Sequence, residues 1–133
     1  MAAVLDWNDT LSVGQDRMDE THREFVDLLN RLGEAPDDEV LACIDEFIVH
    51  TEAHFGQEQD WMGAIQFTAS ECHLREHDGV MEVVREVRNR VAAGETALGK
   101  VLAAAVAEWF ENHARSMDTV LAMVILEKGY KIN

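Results

Sequence analysis

Two histidines that can reach one metal ion lie in the stretch "HLREH", residues 73–77, which has the H-x-x-E-H spacing found in some zinc peptidases. Side chains four residues apart share one face of a helix, so His73 and His77 are placed to act together. In a peptidase, Glu76 would be the general base beside the ion. On an ideal helix, however, Glu76 is rotated about 100° from His77, and a peptidase leaves the remaining histidines without a role.

Carboxylates accompany the histidines of two other segments. His54 and Glu58 are also four residues apart and can meet at a shared metal position. His113 and Asp118 are five residues apart, which places them about 140° out of line on an ideal helix. Either the two side chains bind different members of a pair of metal ions, or a π-type turn widens the helix between them. The spacing leaves both possibilities open.

The number of donors indicates the kind of metal site. Five imidazoles in an apolar interior each need a partner, because an unpaired buried polar group costs about 1–3 kcal/mol, and metal coordination satisfies all of them at once. Five histidines and two carboxylates are too many for one tetrahedral zinc, but they suit two ions bridged by the carboxylates. Imidazole with carboxylate favours iron, with an open position for a small ligand such as O₂. The candidate ligands are His22, His54, Glu58, His73, His77, His113 and Asp118.

Four stretches of apolar residues at three- and four-residue spacing must position these side chains. They predict helices at about residues 18–33, 37–62, 69–92 and 96–128, after an irregular arm over residues 1–17. With connections of only a few residues, four such helices pack as an up-down-up-down antiparallel bundle, whose interior commonly holds metal sites. The sequence therefore predicts an all-α four-helix bundle, with one domain spanning residues 1–133.

Composition excludes several classes of partner. The chain has 133 residues and a formal charge of −15, so phosphate backbones and anionic lipid surfaces should repel it, and we expect neither nucleic acid nor a membrane as partner. No stretch reaches the ~18 apolar residues of a membrane span, and the N-terminus lacks a signal-peptide pattern, so a cytoplasmic protein is expected. The two cysteines, Cys43 and Cys72, are expected to be thiols. We expect a monomer.

Taken together, four segments resemble the hemerythrin-like family, in particular its single-domain bacterial type. The segments are "WNDTLSVGQDRMDETH", "HFGQEQDWM", "HLREH" and "WFENHARSMD", in this order and at these spacings. The resemblance implies an oxo- or hydroxo-bridged centre of two iron ions. By that resemblance, His73, His77 and His113 hold the coordinatively saturated iron, His22 and His54 hold the open iron, and Glu58 and Asp118 bridge the two. Relatives also place histidine and aspartate five residues apart on the last helix.

The resemblance further implies a function. Members of the family bind O₂ reversibly, so we expect an O₂-binding protein for storage, transport, delivery or sensing, not an enzyme, with NO and azide-like small anions as other ligands. The alternative is a redox-active di-iron enzyme, with oxidase, peroxidase or nitric-oxide chemistry at the same site. Access of water and small molecules to the irons would distinguish the two functions.

Stable O₂ binding requires a dry, apolar pocket beside the open iron. Positions near the ligands predict its wall: Phe25, Phe55, Trp61, Met62, Met81, Trp109, Ala114 and Met117. Ala114 departs from the family pattern, since relatives commonly carry a bulky aliphatic residue there, and its small size should widen access to the irons and speed autoxidation. His50, one turn before His54, is either a hydrogen-bond partner or proton site beside the ligands, or a partly exposed helix histidine.

Overall fold

The computed structural model describes residues 3–132, and within that range the chain forms helices and no strands. A 3₁₀ turn comes first, followed by three long helices and a fourth that is interrupted by a π-helical turn. These elements are the 3₁₀ turn Asp9–Leu11, α1 Asp16–Glu34, α2 Val40–Ala64, α3 Ser70–Ala92, α4 Leu98–His113, the π turn Ala114–Asp118 and α5 Thr119–Glu127. Helix α1 packs on α2 and α4, and α3 packs on the same two helices. The predicted all-α four-helix bundle is confirmed.

The helix starts differ from the expected positions by one to three residues, and local contacts explain two of these differences. Helix α1 begins two residues before residue 18, because the Gln15 side chain caps it by accepting a hydrogen bond from the backbone N–H of Met18 at 2.7 Å. Helix α2 begins at Val40 and not at residue 37. The backbone N–H of Glu39 donates to the carbonyl of Pro36 at 2.9 Å, so the acidic residues form a turn before the helix.

The N-terminal arm lies along α1 and is held by side chains of that helix. Residues 1 and 2 of the expected arm lie outside the described residues. The Asn30 side-chain oxygen accepts hydrogen bonds from the backbone N–H groups of Val4 and Leu5, at 2.9 and 3.1 Å, and its amide nitrogen donates to the carbonyl of Leu5 at 2.8 Å. Nearer the start of α1, buried Asp19 accepts from the Ser12 hydroxyl and the Val13 N–H.

The apolar core consists of two clusters with polar side chains between them. The larger cluster includes Phe25, and the smaller one includes Met18. His22 lies between these residues on α1, and on α2 His54 and Glu58 lie between Phe47 of the larger cluster and Trp61 of the smaller one. The buried histidines and carboxylates therefore form a polar layer between the two apolar clusters.

Among residues 3–132, every helix is too short or too polar to cross a bilayer. Cys43 is half-buried, Cys72 is exposed, and both are free thiols.

Candidate metal centre

The seven candidate ligands come together in the bundle interior. Helix α1 contributes one, α2 and α3 contribute two each, and the last two lie at either end of the π turn: His22, His54, Glu58, His73, His77, His113 and Asp118. None of these residues is more than 5% exposed. The helical spacing therefore brings every one of them to the same buried layer.

The donor atoms form two groups that share a carboxylate. The first contains three histidines and two carboxylates, and the second contains two histidines and one carboxylate: Glu58, His73, His77, His113 and Asp118, then His22, His54 and Glu58. Within each group, the ligand atoms lie within 4.8 Å of one another.

Each carboxylate turns one oxygen toward each group. Glu58 Oε2 lies 2.8 Å from Nε2 of His54, whereas its Oε1 lies 3.1 Å from Nε2 of His73. Asp118 Oδ2 lies 3.2 Å from Nε2 of His22, whereas its Oδ1 lies 3.1 Å from Nε2 of His73 and 3.2 Å from Nε2 of His113. Both carboxylates therefore span the two groups, as bridging ligands would.

The π turn brings Asp118 beside His113. Residues 114–118 form a turn wider than an α-helical one, so a separation of five residues corresponds to about one turn of the helix. The Thr119 hydroxyl donates to the carbonyl of Ala114 at 2.9 Å across this turn. Of the two possibilities left by the sequence, the π turn is present, and Asp118 also faces both groups.

Without a metal, charges within the site balance one another. Burial alone would lower the pKa of His22, but its contacts with Asp118 and Glu58 outweigh burial and raise the pKa to about 10. The same opposing effects raise the pKa of His73 to about 9. Burial would raise the pKa values of the two carboxyls, but the neighbouring histidines hold both well below their usual range. The carboxylates therefore favour the protonated forms of His22 and His73, and the histidines favour the ionised forms of Glu58 and Asp118.

Other atoms of the site lack the partners that burial demands. Burial lowers the pKa of His77 to about 3, so this ring is neutral, and its Nε2 lies 3.1 Å from Nε2 of His113. Among residues 3–132, the contacts of Asp118 with Nε2 of His22, His73 and His113 are close, at 3.1 to 3.2 Å, but they lack the geometry of hydrogen bonds. Buried polar atoms are rarely left unpaired in this way unless an ion or water completes the site. Imidazole nitrogens and carboxylate oxygens suit a first-row transition metal, so these residues fit iron.

Comparison with known proteins agrees with this geometry. The family model described as the hemerythrin HHE cation binding domain matches residues 13–125. The chain belongs to the hemerythrin family. It is 38% identical over 126 residues to a bacteriohemerythrin of Ralstonia nicotianae, covering 95% of this chain and 92% of the relative. A bacteriohemerythrin of Stenotrophomonas maltophilia is 32% identical over 124 residues, covering 90% of this chain and 80% of that protein.

Solved structures share the fold of this hemerythrin-family chain. A wild-type hemerythrin superimposes with a TM-score of 0.85 at 21% identity, over 92% of this chain and 98% of that one. A hemerythrin variant with one leucine replaced by alanine gives the same values. The resemblance inferred from the four sequence segments is therefore confirmed.

Aromatic rings surround the hemerythrin-family site on its two-histidine side. The Phe25 ring lies 5.8 Å from the ring of His54 and 4.8 Å from that of Phe110, centroid to centroid. The rings of Phe110 and His22 are nearly perpendicular, with centroids 5.1 Å apart. The sequence prediction named Phe25 but missed Phe110, although its position three residues before His113 was a usable signal.

Other residues expected in the pocket wall lie around the three-histidine group. The Phe55 ring stacks on His77, with centroids 3.7 Å apart and planes at 2°. The Trp109 ring stacks on His113 at 4.5 Å and 15°, on its outer side, where it also lines a surface cavity of about 320 Å³ between α3 and α4. Met117 and His73 line a smaller cavity of about 110 Å³.

The remaining pocket candidates are buried at different places. Ala114 is buried in the larger apolar cluster, directly after His113. Trp61 and Met62 belong to the smaller cluster. Met81 is buried on α3, one turn after His77.

Two polar residues near the hemerythrin-family site stand outside the cluster. His50 is partly exposed, and its Nε2 lies 3.5 Å from Glu24 Oε1. Glu76 is half-exposed, and its Oε1 lies 3.7 Å from the outward-facing Nδ1 of His113. The general-base position of a peptidase would require Glu76 on the inner side of the histidines. Its outward position therefore argues against the peptidase interpretation of "HLREH".

Proposed function

We propose that this chain is a di-iron protein that binds O₂ reversibly, for storage, transport, delivery or sensing, and that it is a binder of O₂ and not an enzyme. One observation carries the proposal: Glu58 and Asp118 each turn one oxygen to a three-histidine group and the other to a two-histidine group. Two bridging carboxylates between unequal sets of imidazoles suit two metal ions with different numbers of ligands.

The ligand assignment follows from this asymmetry. His73, His77 and His113 would hold one iron, and His22 and His54 would hold the other. The first group offers one more imidazole than the second, so an iron held there would have less room for an external ligand. When bound, the two irons would supply the pair of electrons that reversible O₂ binding requires. A small ligand would therefore bind at the iron held by His22 and His54.

Two aromatic rings of the protein lie against the histidines on that side. Phe25 and Phe110 are almost completely buried and lie against the rings of His54 and His22. Their rings cover part of the surface of the two histidines with apolar groups, and excluding water from a reactive site suppresses side reactions. These aromatic contacts support reversible binding over redox turnover.

Membership of the hemerythrin family is consistent with O₂ as the small molecule that binds. The relatives are named bacteriohemerythrins, and a bridged di-iron site with a free position also suits NO and azide-like small anions. We propose O₂ as the physiological ligand and a monomer as the working unit.

Anaerobic iron loading tests the proposal. The iron-free protein is loaded with ferrous iron without air, desalted and analysed for iron and zinc, and spectra are taken in the reduced, aerobic and azide-treated forms. We expect about two irons per chain, a nearly colourless reduced form, and charge-transfer bands in the visible region after exposure to air or azide. One tightly bound zinc per chain, or the absence of charge-transfer absorption, would contradict the proposal.

A further inference from the structure

The five histidines of the cluster share one orientation. Each turns Nε2 toward the carboxylates or toward another ring, which leaves Nδ1 on the outer side. Among residues 3–132, none of these outer nitrogens has a hydrogen-bond partner. In the same part of the chain, only His113 has a carboxylate close to its Nδ1, and that carboxylate belongs to Glu76 at 3.7 Å.

Glu76 has few competing partners. It lies on α3, whereas His113 ends α4, so the contact joins two neighbouring helices. In the described residues, no Lys or Arg forms an ion pair with Glu76, although its sequence neighbour Arg75 is exposed nearby. Among the described residues, the Glu76 carboxylate is therefore free to interact with His113, a candidate metal ligand.

The surroundings give Glu76 room to approach. It lines the cavity of about 320 Å³ between α3 and α4, and its side chain is 45% exposed. The distance of 3.7 Å between Glu76 Oε1 and His113 Nδ1 is about half an ångström longer than a hydrogen bond. The ring of His113 cannot turn away easily, because Trp109 stacks on its face and Asp118 contacts Nε2.

We propose that Glu76 is a positioning residue for His113. The Glu76 carboxylate accepts a hydrogen bond from Nδ1–H of His113 and so directs the lone pair of Nε2 at the metal. The inference rests on the proposed function, because it requires His113 to be a ligand. A histidine that binds a metal commonly donates its other N–H to a carboxylate, which fixes the tautomer and strengthens the ligand. The Glu in "HLREH" thus acts from outside the metal site and not as a catalytic base.

Iron retention tests this role. Glu76→Ala, Glu76→Gln and Glu76→Asp are loaded with iron anaerobically as full-length proteins, and the loss of iron to a strong ferrous chelator is timed. Glu82 is exposed on the same helix, so Glu82→Ala and Glu82→Gln are matched controls. We expect Glu76→Ala to lose one of its two irons about ten times faster than the wild type, since removing such a partner weakens metal binding about 10- to 100-fold.

The other variants separate positioning from structural support. Glu76→Gln keeps an oxygen acceptor and should lie between the wild type and Glu76→Ala, and Glu76→Asp should restore part of the retention. The charge-transfer bands of the azide-treated form should shift in Glu76→Ala and not in the Glu82 variants. The melting temperatures of the iron-free Glu76 and Glu82 variants should agree, because an exposed carboxylate contributes little to the fold.

The outcomes distinguish this inference from the proposed function. Equal rates of iron loss in Glu76→Ala, Glu82→Ala and the wild type, with two irons bound in each, would overturn the role of Glu76 and leave the di-iron site intact. Equal acceleration in the Glu76 and Glu82 variants would also overturn it. A wild-type protein that binds no iron would overturn both proposals.

Discussion

Nε2 of His77 lies 3.1 Å from Nε2 of His113, between two helices in the buried interior of the bundle. Only one proton can lie between these two nitrogens, and the Nδ1 atoms of both rings lack hydrogen-bond partners among the described residues. Such a pair is poorly stabilised by hydrogen bonds alone. A metal ion beside both nitrogens would accept both lone pairs, so the pair is better explained as two ligands of one iron.

Replacing one member of this pair should remove iron. His77→Ala is expected to bind fewer than two irons per chain, because the three-histidine group loses one of its donors. His50→Ala is the matched control, since His50 is the one histidine outside the cluster. Iron analysis after anaerobic loading should give about two irons for the control. Two tightly held irons in His77→Ala would contradict the ligand assignment.

Iron binding at pH 7 should release protons. His22 and His73, with pKa values raised to about 10 and about 9, are protonated in the iron-free protein, and each must lose its proton before Nε2 can bind a metal. At least two protons per chain should therefore appear, and iron affinity should fall as the pH is lowered. Anaerobic titration in buffers of different ionisation enthalpy measures the number. Release of less than one proton would show that these histidines are neutral or do not bind.

Enlarging the side chain at position 114 should slow oxidation of the oxygenated protein. Ala114 is buried beside His113, so a leucine there would fill space close to the irons. The oxygenated form of Ala114→Leu should last several-fold longer than that of the wild type, while overpacking costs about 1–3 kcal/mol of stability. Ala104→Leu, an exposed position on the same helix, is the control. An unchanged lifetime with full iron content would exclude Ala114 as a determinant of access.

Loss of the Asn30 side chain should loosen the N-terminal arm without affecting the iron site. Asn30 makes three hydrogen bonds to the backbone of Val4 and Leu5. Asn30→Ala should lower the free energy of unfolding by about 1–3 kcal/mol, since it leaves these arm groups unpaired. Urea unfolding measures the change, with exposed Asn89→Ala as the control. Iron content should stay near that of the wild type, because Asn30 lies two turns from His22.

The periodicity of apolar residues and the spacing of the histidines and carboxylates were sufficient to predict the four-helix bundle. They were also sufficient to predict that seven polar side chains meet in its interior. The spacing of His113 and Asp118 could not by itself choose between a π turn and ligands on separate ions, because both satisfy the chemistry. The start of α2 was misplaced since acidic residues favour a first turn in general, whereas here the carbonyl of Pro36 holds Glu39 in a preceding turn.

The walls of the site were harder to predict than its ligands. Trp109 and Phe110 are adjacent, and both lie about one turn before His113, so spacing alone cannot say which ring faces inward. The structure places Phe110 against His22 and Trp109 on the outer face of His113. Which of the two rings faces inward depends on the rotation of α4 about its own axis relative to the neighbouring helices, and the residue types alone do not specify that rotation.

Reversible uptake of O₂ tests the central claim most directly. The anaerobically loaded, reduced protein is mixed with a known amount of O₂, followed by visible absorption, evacuated and followed again. The account predicts one O₂ taken up per two irons, a stable charge-transfer spectrum, and return of the reduced spectrum with recovery of the O₂ under vacuum. Rapid decay to the oxidised form, with hydrogen peroxide produced and no O₂ recovered, would contradict it.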